Sequence, residues 1–411
     1  MSTIIPLPKG KEISLNNLRP ISLLSSLSKI FEKCLLFYLK KDIYKLYDNN
    51  QFGFRPKSST QCAFIALHSK ILKSLDQSPP LHTFVINFDL AKAFDTINHD
   101  ILISTLSSCN LPLCFIKLTN SYLRDRSQLV LVDSIYSSKR PIYSGIPQGS
   151  VHGPILFCLY IRSLQPSNTM SQYYKFADDT TFVVSVPIKE DYCEIITQEV
   201  NHVENWCSIN KMRLNNSKTK IMLISSSLRR NQLLFSTDLN QFVTENIVFL
   251  GYNISNNLNW SLHVKSLIKK ISSRLQLIRM LKNSLTKAQL INVYFAYIQS
   301  LIDYLFPIVY NLTLKDINTV NSLIKRSHGI ICGWTCTQDC LPDFHQRCKI
   351  LSINLFKKAM NDCDHTLHPL LPHKSIRSNR LIIPYTHSDK HLQSFFPQCA
   401  IAYNKELQCK S

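Results

Sequence analysis

The chain has 411 residues, 45% of them apolar, with 47 lysines and arginines against 27 acids for a formal net charge of +20. That length suits two or three lobes, and the apolar share excludes a disordered chain. A basic surplus spread along a folded sequence points to phosphate as the partner, in nucleic acid or an anionic membrane.

The first residues, 1–11 (MSTIIPLPKGK), lack a basic stretch leading into an apolar run and do not read as a secretory signal. Residues 4–22 read as a loop, followed by a helix from Leu23 to Leu39. A turn-like stretch over 48–60 is punctuated by Gly53 and Pro56, and a second helix is expected over 60–75. Thr83 to Phe88 (TFVINF) is a short β-branched, apolar run, the signature of a buried strand, and it ends in Asp89. A helix over Ile97–Leu106 and a strand pair within Leu129–Tyr143 follow.

Only eight glycines occur in the chain, so the trio Gly145, Gly149 and Gly153 marks one loop of special geometry, leading into an apolar helix over Ile155–Leu164. Tyr173–Ala177 and Thr181–Val186 flank Asp178-Asp179-Thr180 and read as a β-hairpin with acids at its tip. Tyr192, Ile196, Val200, Val203 and Cys207 recur at helical spacing, and strands are expected around Ile221 and Val248.

Beyond Trp260 the texture is helical, with a domain boundary near residue 258. Val264, Leu267, Ile268, Ile271, Leu275 and Ile278 form an apolar stripe, with Lys265, Lys269, Lys270, Arg274 and Arg279 largely outside it. The most apolar segment, Ala288–Ile302, is cut by Asp303 before reaching spanning length, so no membrane span is expected.

Fourteen scattered cysteines form no disulfide framework, and reduced thiols place the protein inside the cell, in nucleus or cytoplasm. Cys332, Cys336, Cys340, His345 and Cys348 could supply four zinc ligands, but core and surface cysteines explain them better because the spacings match no closed site.

A strand ending in Asp89 beside a hairpin tipped by Asp178 and Asp179 gathers carboxylates that repel one another. A hard divalent cation with oxygen ligands relieves that repulsion. Two such ions about 3.5–4 Å apart can activate a hydroxyl and stabilise a leaving phosphate. The aspartate pair alone is weak, since most such pairs are solvated turns.

Seven blocks in order carry a resemblance: LRPISLLSSLSKIFEK (18–33), QFGFRPKSST (51–60), FDLAKAFDTINH (88–99), SGIPQGSVHGPILFCLYI (144–161), YKFADDT (174–180), LNNSKTKIML (214–223) and FLGYNIS (249–255). Over residues 4–330 the chain resembles the reverse transcriptases of non-long-terminal-repeat retrotransposons, LINE-type and jockey-like. The resemblance implies an α+β right-hand polymerase of fingers, palm and thumb, with an antiparallel palm sheet packed on helices. Fingers and palm would occupy 1–258 and a helical thumb 259–330, followed by a C-terminal region, 331–411, of unknown role.

It also implies RNA-templated extension of a DNA 3′-hydroxyl, with RNA template, DNA primer and dNTPs as partners and two Mg²⁺ ions (or Mn²⁺) as cofactors. Asp89, Asp178 and Asp179 match the metal-binding acids, and Lys218 matches a lysine near the pyrophosphate, with Lys220 its nearest rival. Phe94 matches the aromatic residue under the sugar of the incoming nucleotide, while the adjacent Asp95 is expected to be structural. Gln148 and Gly149 match the loop that positions template and nucleotide. Arg19 matches a triphosphate-gripping arginine, assisted by Lys9 or Lys11, and Arg55 either contacts template or braces the fingers. Lys265, Lys269, Lys270 and Arg274 would grip duplex backbone.

His152 departs from the family's usual apolar residue, and Cys158 and Arg162-Ser163 replace its Asn and Asn-Asp. The endonuclease expected ahead of the polymerase in a full element is absent from these residues. A truncated, inactive remnant that only binds nucleic acid is therefore the alternative, and an RNA-templated RNA polymerase a third reading, disfavoured by Phe94 and the FADD form.

Overall fold

A proline-rich start builds the first ladder. The computed structural model describes residues 1–10, 14, 18–225, 238–334, 341–375 and 380–408. Strand β1 (Ser2–Pro8) pairs antiparallel with β2 (Leu18–Leu23), placing Pro6 opposite Pro20 and Leu7 opposite Arg19. Within the expected loop over 4–22, residues 4–8 and 18–22 are thus strand, although Pro6, Pro8 and Pro20 lack the N–H that a ladder normally uses. Helix α1 (Ser26–Lys45) starts where the Ser25 hydroxyl accepts the Ser28 amide. Helix α2 (Thr60–Leu75) is capped likewise by Ser59 and lies where expected.

Strand β3 (Leu81–Asp89) is buried through Thr83–Ile86, as its apolar run requires. Then come α3 (His99–Ser108), α4 (Leu113–Leu123), the strands β4 (Ser127–Val132), β5 (Ile135–Tyr136) and β6 (Arg140–Pro141), and helix α5 (Gly153–Tyr160). Helix α4 went unrecognised in the sequence, although Pro112 at its start and buried Phe115, Ile116, Thr119 and Leu123 carry the signal. The hairpin is β7 (Ser171–Phe176) and β8 (Asp179–Pro187), followed by α6 (Tyr192–Ile209) and β9 (Lys220–Ile224). A short pair, β10 (Asn246–Phe249) and β11 (Tyr252–Ser255), leads to α7 (Ser261–Leu281), α8 (Lys287–Tyr294), α9 (Ser300–Asp303), α10 (Leu314–Cys332), α11 (Phe344–Met360), α12 (Asp389–Leu392) and α13 (Phe395–Gln408).

One sheet has the order β2-β1-β4-β5 with β6 also on β4, and a second has the order β7-β8-β3-β9. Two compact units result. The first comprises residues 1–56, 87–182 and 191–219, and the second 57–86, 183–190 and 220–411. Strands β3 and β8 each contribute residues to both.

In the first unit Phe88, Phe182 and Tyr173 form an aromatic stack, with Tyr173 and Phe182 parallel and 3.6 Å apart. Glu199 of α6 is fully buried and accepts hydrogen bonds from the Tyr173 hydroxyl, the Ser167 amide and Asn168.

In the second unit, α7 buries Val264, Leu267, Ile271, Leu275 and Ile278, as the stripe predicts. Asp76, at the end of α2, accepts from the His387 and Ser388 amides and contacts His391 Nδ1 at 2.9 Å. The C-terminal helices therefore belong to this unit's core, with Phe344, Phe356 and Cys399 wholly buried. Among the described residues, no helix is long and apolar enough to cross a membrane.

Candidate active site

The site forms where β3 ends and the β7–β8 hairpin turns. Ala177 takes a positive φ of 57°, so the chain reverses within Ala177-Asp178 and β8 begins at Asp179. Asp89 closes β3. Beyond it, Ala91 N donates to Arg213 O and Asn215 N to Asp89 O, both at 2.8 Å, so residues 213–215 run back along 89–91. That pairing sets Lys218, on a short 3₁₀ turn, against Asp89: Lys218 Nζ lies 2.9 Å from Asp89 Oδ2, with Asn215 Nδ2 at 3.1 Å from the same oxygen.

The three carboxylates feel one another. Burial pushes the Asp178 pKa up and Asp89 adds to the rise, while Arg19 and Lys9 oppose it. Loss of hydration, then the charges of Asp178 and Asp89, raise Asp179 to about 6 against the pull of Lys218, even though Asp179 keeps substantial exposure. Excess negative charge among hard oxygen donors is the chemistry a divalent cation answers. Among the described residues no three His, Cys, Asp or Glu side chains stand close enough to enclose an ion, and Lys218 and Asn215 engage Asp89. Hard carboxylate oxygens of this kind suit Mg²⁺ by their donor chemistry.

The glycine loop is fastened beside this tip. Gly145 and Gly149 have φ of 86° and 115°, which other residues resist, and a Cβ on Gly149 would meet Ser22 O at 2.9 Å. Ser22 N donates to Gln148 O at 2.8 Å, so β2, which carries exposed Arg19, is tied directly to the loop. The Gln148 side chain donates to Asp95 Oδ1 at 2.9 Å, giving Asp95 the structural role expected of it. Phe94 is half-buried, stacked on Phe157 at 4.6 Å and edge-on to Phe54. Lys9 is exposed after β1, and Lys11 lies outside the described residues.

A cavity of about 370 Å³ adjoins Gln148 and is lined by Lys92, Asp95, Arg126, Gln128 and Tyr143 among others. Arg126 and Tyr143 flank the β4–β6 strands and were not singled out in the sequence; a cation and an exposed aromatic bracketing a strand pair were the only signals. Arg55 donates to the Asp48 and Asn49 carbonyls.

His152 is accommodated rather than disruptive. Its ring nitrogen Nε2 bonds Glu32 O at 2.9 Å, and its amide and that of Val151 donate to buried Glu32 Oε2 at 3.0 and 2.7 Å. Ser163 accepts from Trp206 Nε1, and Arg162 donates to Cys109 Sγ.

In the second unit Lys265, Lys269 and Lys270 are exposed on α7. Arg274 is half-buried and engaged, donating to Tyr297 O and lying over the Tyr297 ring. Of the cysteine cluster, Cys336 and Cys340 lie outside the described residues, and Cys348 is buried in α11 with its thiol pushed up by burial.

A family model described as reverse transcriptase (RNA-dependent DNA polymerase) matches residues 7–254. The chain belongs to the reverse transcriptase family. It is 29% identical over 289 residues to the probable RNA-directed DNA polymerase from transposon BS of Drosophila melanogaster, covering 67% of this chain and 31% of that protein. It is 23% identical over 284 residues to the RNA-directed DNA polymerase from mobile element jockey of Drosophila funebris, again 67% of this chain and 31% of that protein. This reverse transcriptase chain thus spans about a third of the curated relatives it matches. A solved telomerase from Candida tropicalis, in complex with a TWJ fragment of telomeric RNA, is similar at TM-score 0.46 and 13% identity, covering 86% of this chain and 61% of that one. The relatives are of the LINE-type, jockey-like class, as the sequence blocks implied.

Proposed function

We propose that the protein is an RNA-directed DNA polymerase, adding deoxynucleotides to a DNA 3′-hydroxyl on an RNA template with release of pyrophosphate. The observation that carries this reading is the gathering of Asp89, Asp178 and Asp179, where burial and then the neighbouring carboxylates raise Asp179 to about 6. Those three acids would hold two Mg²⁺ ions, which supply activation of the primer hydroxyl and neutralisation of the triphosphate.

The chain's own residues do the rest by position and charge. Arg19 and Lys9, whose charges reach Asp178, bind the triphosphate oxygens, Arg19 through its planar fork. Phe94 lies beneath the sugar and excludes a 2′-hydroxyl. Gln148, fixed by Asp95, and the close-packed backbone at Gly149 present a rigid floor for the nascent base pair. Lys218 leaves Asp89 when the substrate arrives and donates its proton to the departing pyrophosphate. Lys265, Lys269 and Lys270 contact duplex phosphates, and an intracellular setting, nucleus or cytoplasm, suits the reduced thiols.

The test is extension of a DNA primer on an RNA template in Mg²⁺ or Mn²⁺. Incorporation of dNTPs that vanishes in Asp178→Ala supports the reading. Tight primer–template binding by folded protein with no incorporation supports the inactive remnant instead.

A further inference from the structure

The hairpin that carries Asp178 and Asp179 is held from below by a group that the reaction does not use. Lys175, three residues before Asp178, is 1% exposed. Its ammonium donates to Asp48 Oδ2 at 2.9 Å, to Ile161 O at 3.3 Å and to Leu164 O, so all three N–H bonds are spent. Asp48 is fixed in turn, accepting from the Asn50 amide at 3.0 Å and from Gln165 Nε2 at 3.2 Å.

The backbone repeats the connection. Lys175 N donates to Asn50 O at 2.9 Å, and Phe52 N donates to Lys175 O at 2.8 Å, so the segment after Asp48 forms a parallel bridge to β7 at Lys175. It ends with Gly53 beneath the turn, where a Cβ would collide with Ala177 N and come within 2.9 Å of the Phe176 carbonyl carbon. The Gly53 backbone φ is not positive, so this glycine is required by proximity rather than by conformation.

Stability alone does not explain a buried lysine. Desolvating both charges costs several kcal/mol, and an apolar pair of similar volume is often as stable or more so. Three directional bonds provide something else: they fix where along its axis β7 stands, whereas an apolar side chain tolerates small slips.

We propose that Lys175 is a positioning residue, acting through Asp48 and with Gly53 seated on the turn, that sets the placement of the Asp178-Asp179 tip. The inference rests on the polymerase reading above.

The test is the double variant Asp48→Leu/Lys175→Met, which removes both charges together and so leaves no unpaired ion. Its thermal midpoint should stay near that of the wild type, while kcat for dNTP incorporation falls about 100-fold, the scale of a displacement near 1 Å. The KM for dNTP should change by less than about threefold, because the phosphate-gripping residues are untouched. Hydrogen exchange at the amides of Phe176–Thr180 should quicken at least about tenfold while α3 is unchanged.

Gly53→Ala, which buries no charge, should give the same split of kcat from KM and is the second arm if the double variant does not fold. Unchanged kcat together with unchanged tip exchange in a folded variant would overturn the proposal. If folded wild-type protein extends no primer, the polymerase reading fails, and hydrogen exchange still reports whether the clamp holds the tip.

Discussion

Replacing Glu32 by glutamine removes one charge from beneath the loop that carries Gln148 and Gly149. Glu32 is 2% exposed, and its Oε2 accepts from the Val151 and His152 amides just before α5, while Oε1 accepts from the Ser28 hydroxyl. Charge-assisted bonds of this kind contribute about 1.5–3 kcal/mol each, and an acid at a helix N-terminus adds roughly 0.3–1 kcal/mol. Glutamine can keep its carbonyl on both amides and turn its NH₂ toward the Ser28 hydroxyl, so what is lost is the charge assistance of two bonds and the helix-terminal acid, about 2–4 kcal/mol in all. For a unit of this size that lowers the thermal midpoint by roughly 5–15 °C. The loss should appear in thermal denaturation followed by circular dichroism, with the dNTP KM rising as the loop loosens. A stability change under about 0.5 kcal/mol, the size of an ordinary surface substitution, would refute the capping argument.

Phe94→Val opens the space proposed beneath the sugar and should raise rNTP relative to dNTP incorporation by about 10- to 100-fold; an unchanged ratio in competition assays would leave Phe94 as core packing against Phe157. Asp179, raised to about 6, keeps a proton in the folded, metal-free protein that the unfolded chain sheds near its ordinary value. Its contribution therefore weakens stability as pH rises from about 4 to 6. Denaturation of wild type against Asp179→Asn should show that relative loss in the wild type, and Mg²⁺ should abolish it. Replacing Lys265, Lys269 or Lys270 by alanine should each lower the salt slope of primer–template binding by about one. Arg274→Ala should lower it less, since that guanidinium already serves Tyr297 O.

What the sequence made legible was local. Strand β3 and the acidic hairpin were readable because an apolar β-branched run and a two-sided tip are period-two signals within a few residues. The stripe of α7 was readable for the same reason at helical spacing. Strands β1 and β2 were not, because three prolines argue against a ladder until a partner strand is known to pair with them.

The supports of the site were the least legible. Lys175 meets Asp48 across 127 residues, Glu32 meets the loop across 119, and Lys218 meets Asp89 across 129. No pattern within one segment reports such pairs. His152 illustrates the cost: in the sequence it is only a departure from the family's usual apolar residue, whereas with Glu32 and Phe115 beside it the ring is hydrogen-bonded and packed.

Asp89, Asp178 and Asp179 are proposed above to form a metal-dependent polymerase site. Primer extension on an RNA template, run with dNTPs and with rNTPs for wild type and Asp178→Ala, tests it most directly. The wild type should incorporate dNTPs in a Mg²⁺- or Mn²⁺-dependent manner, and the variant should lose at least about a thousandfold, of the order seen when a principal electrostatic element is removed. Incorporation that survives Asp178→Ala, or none from folded wild-type protein, would contradict it.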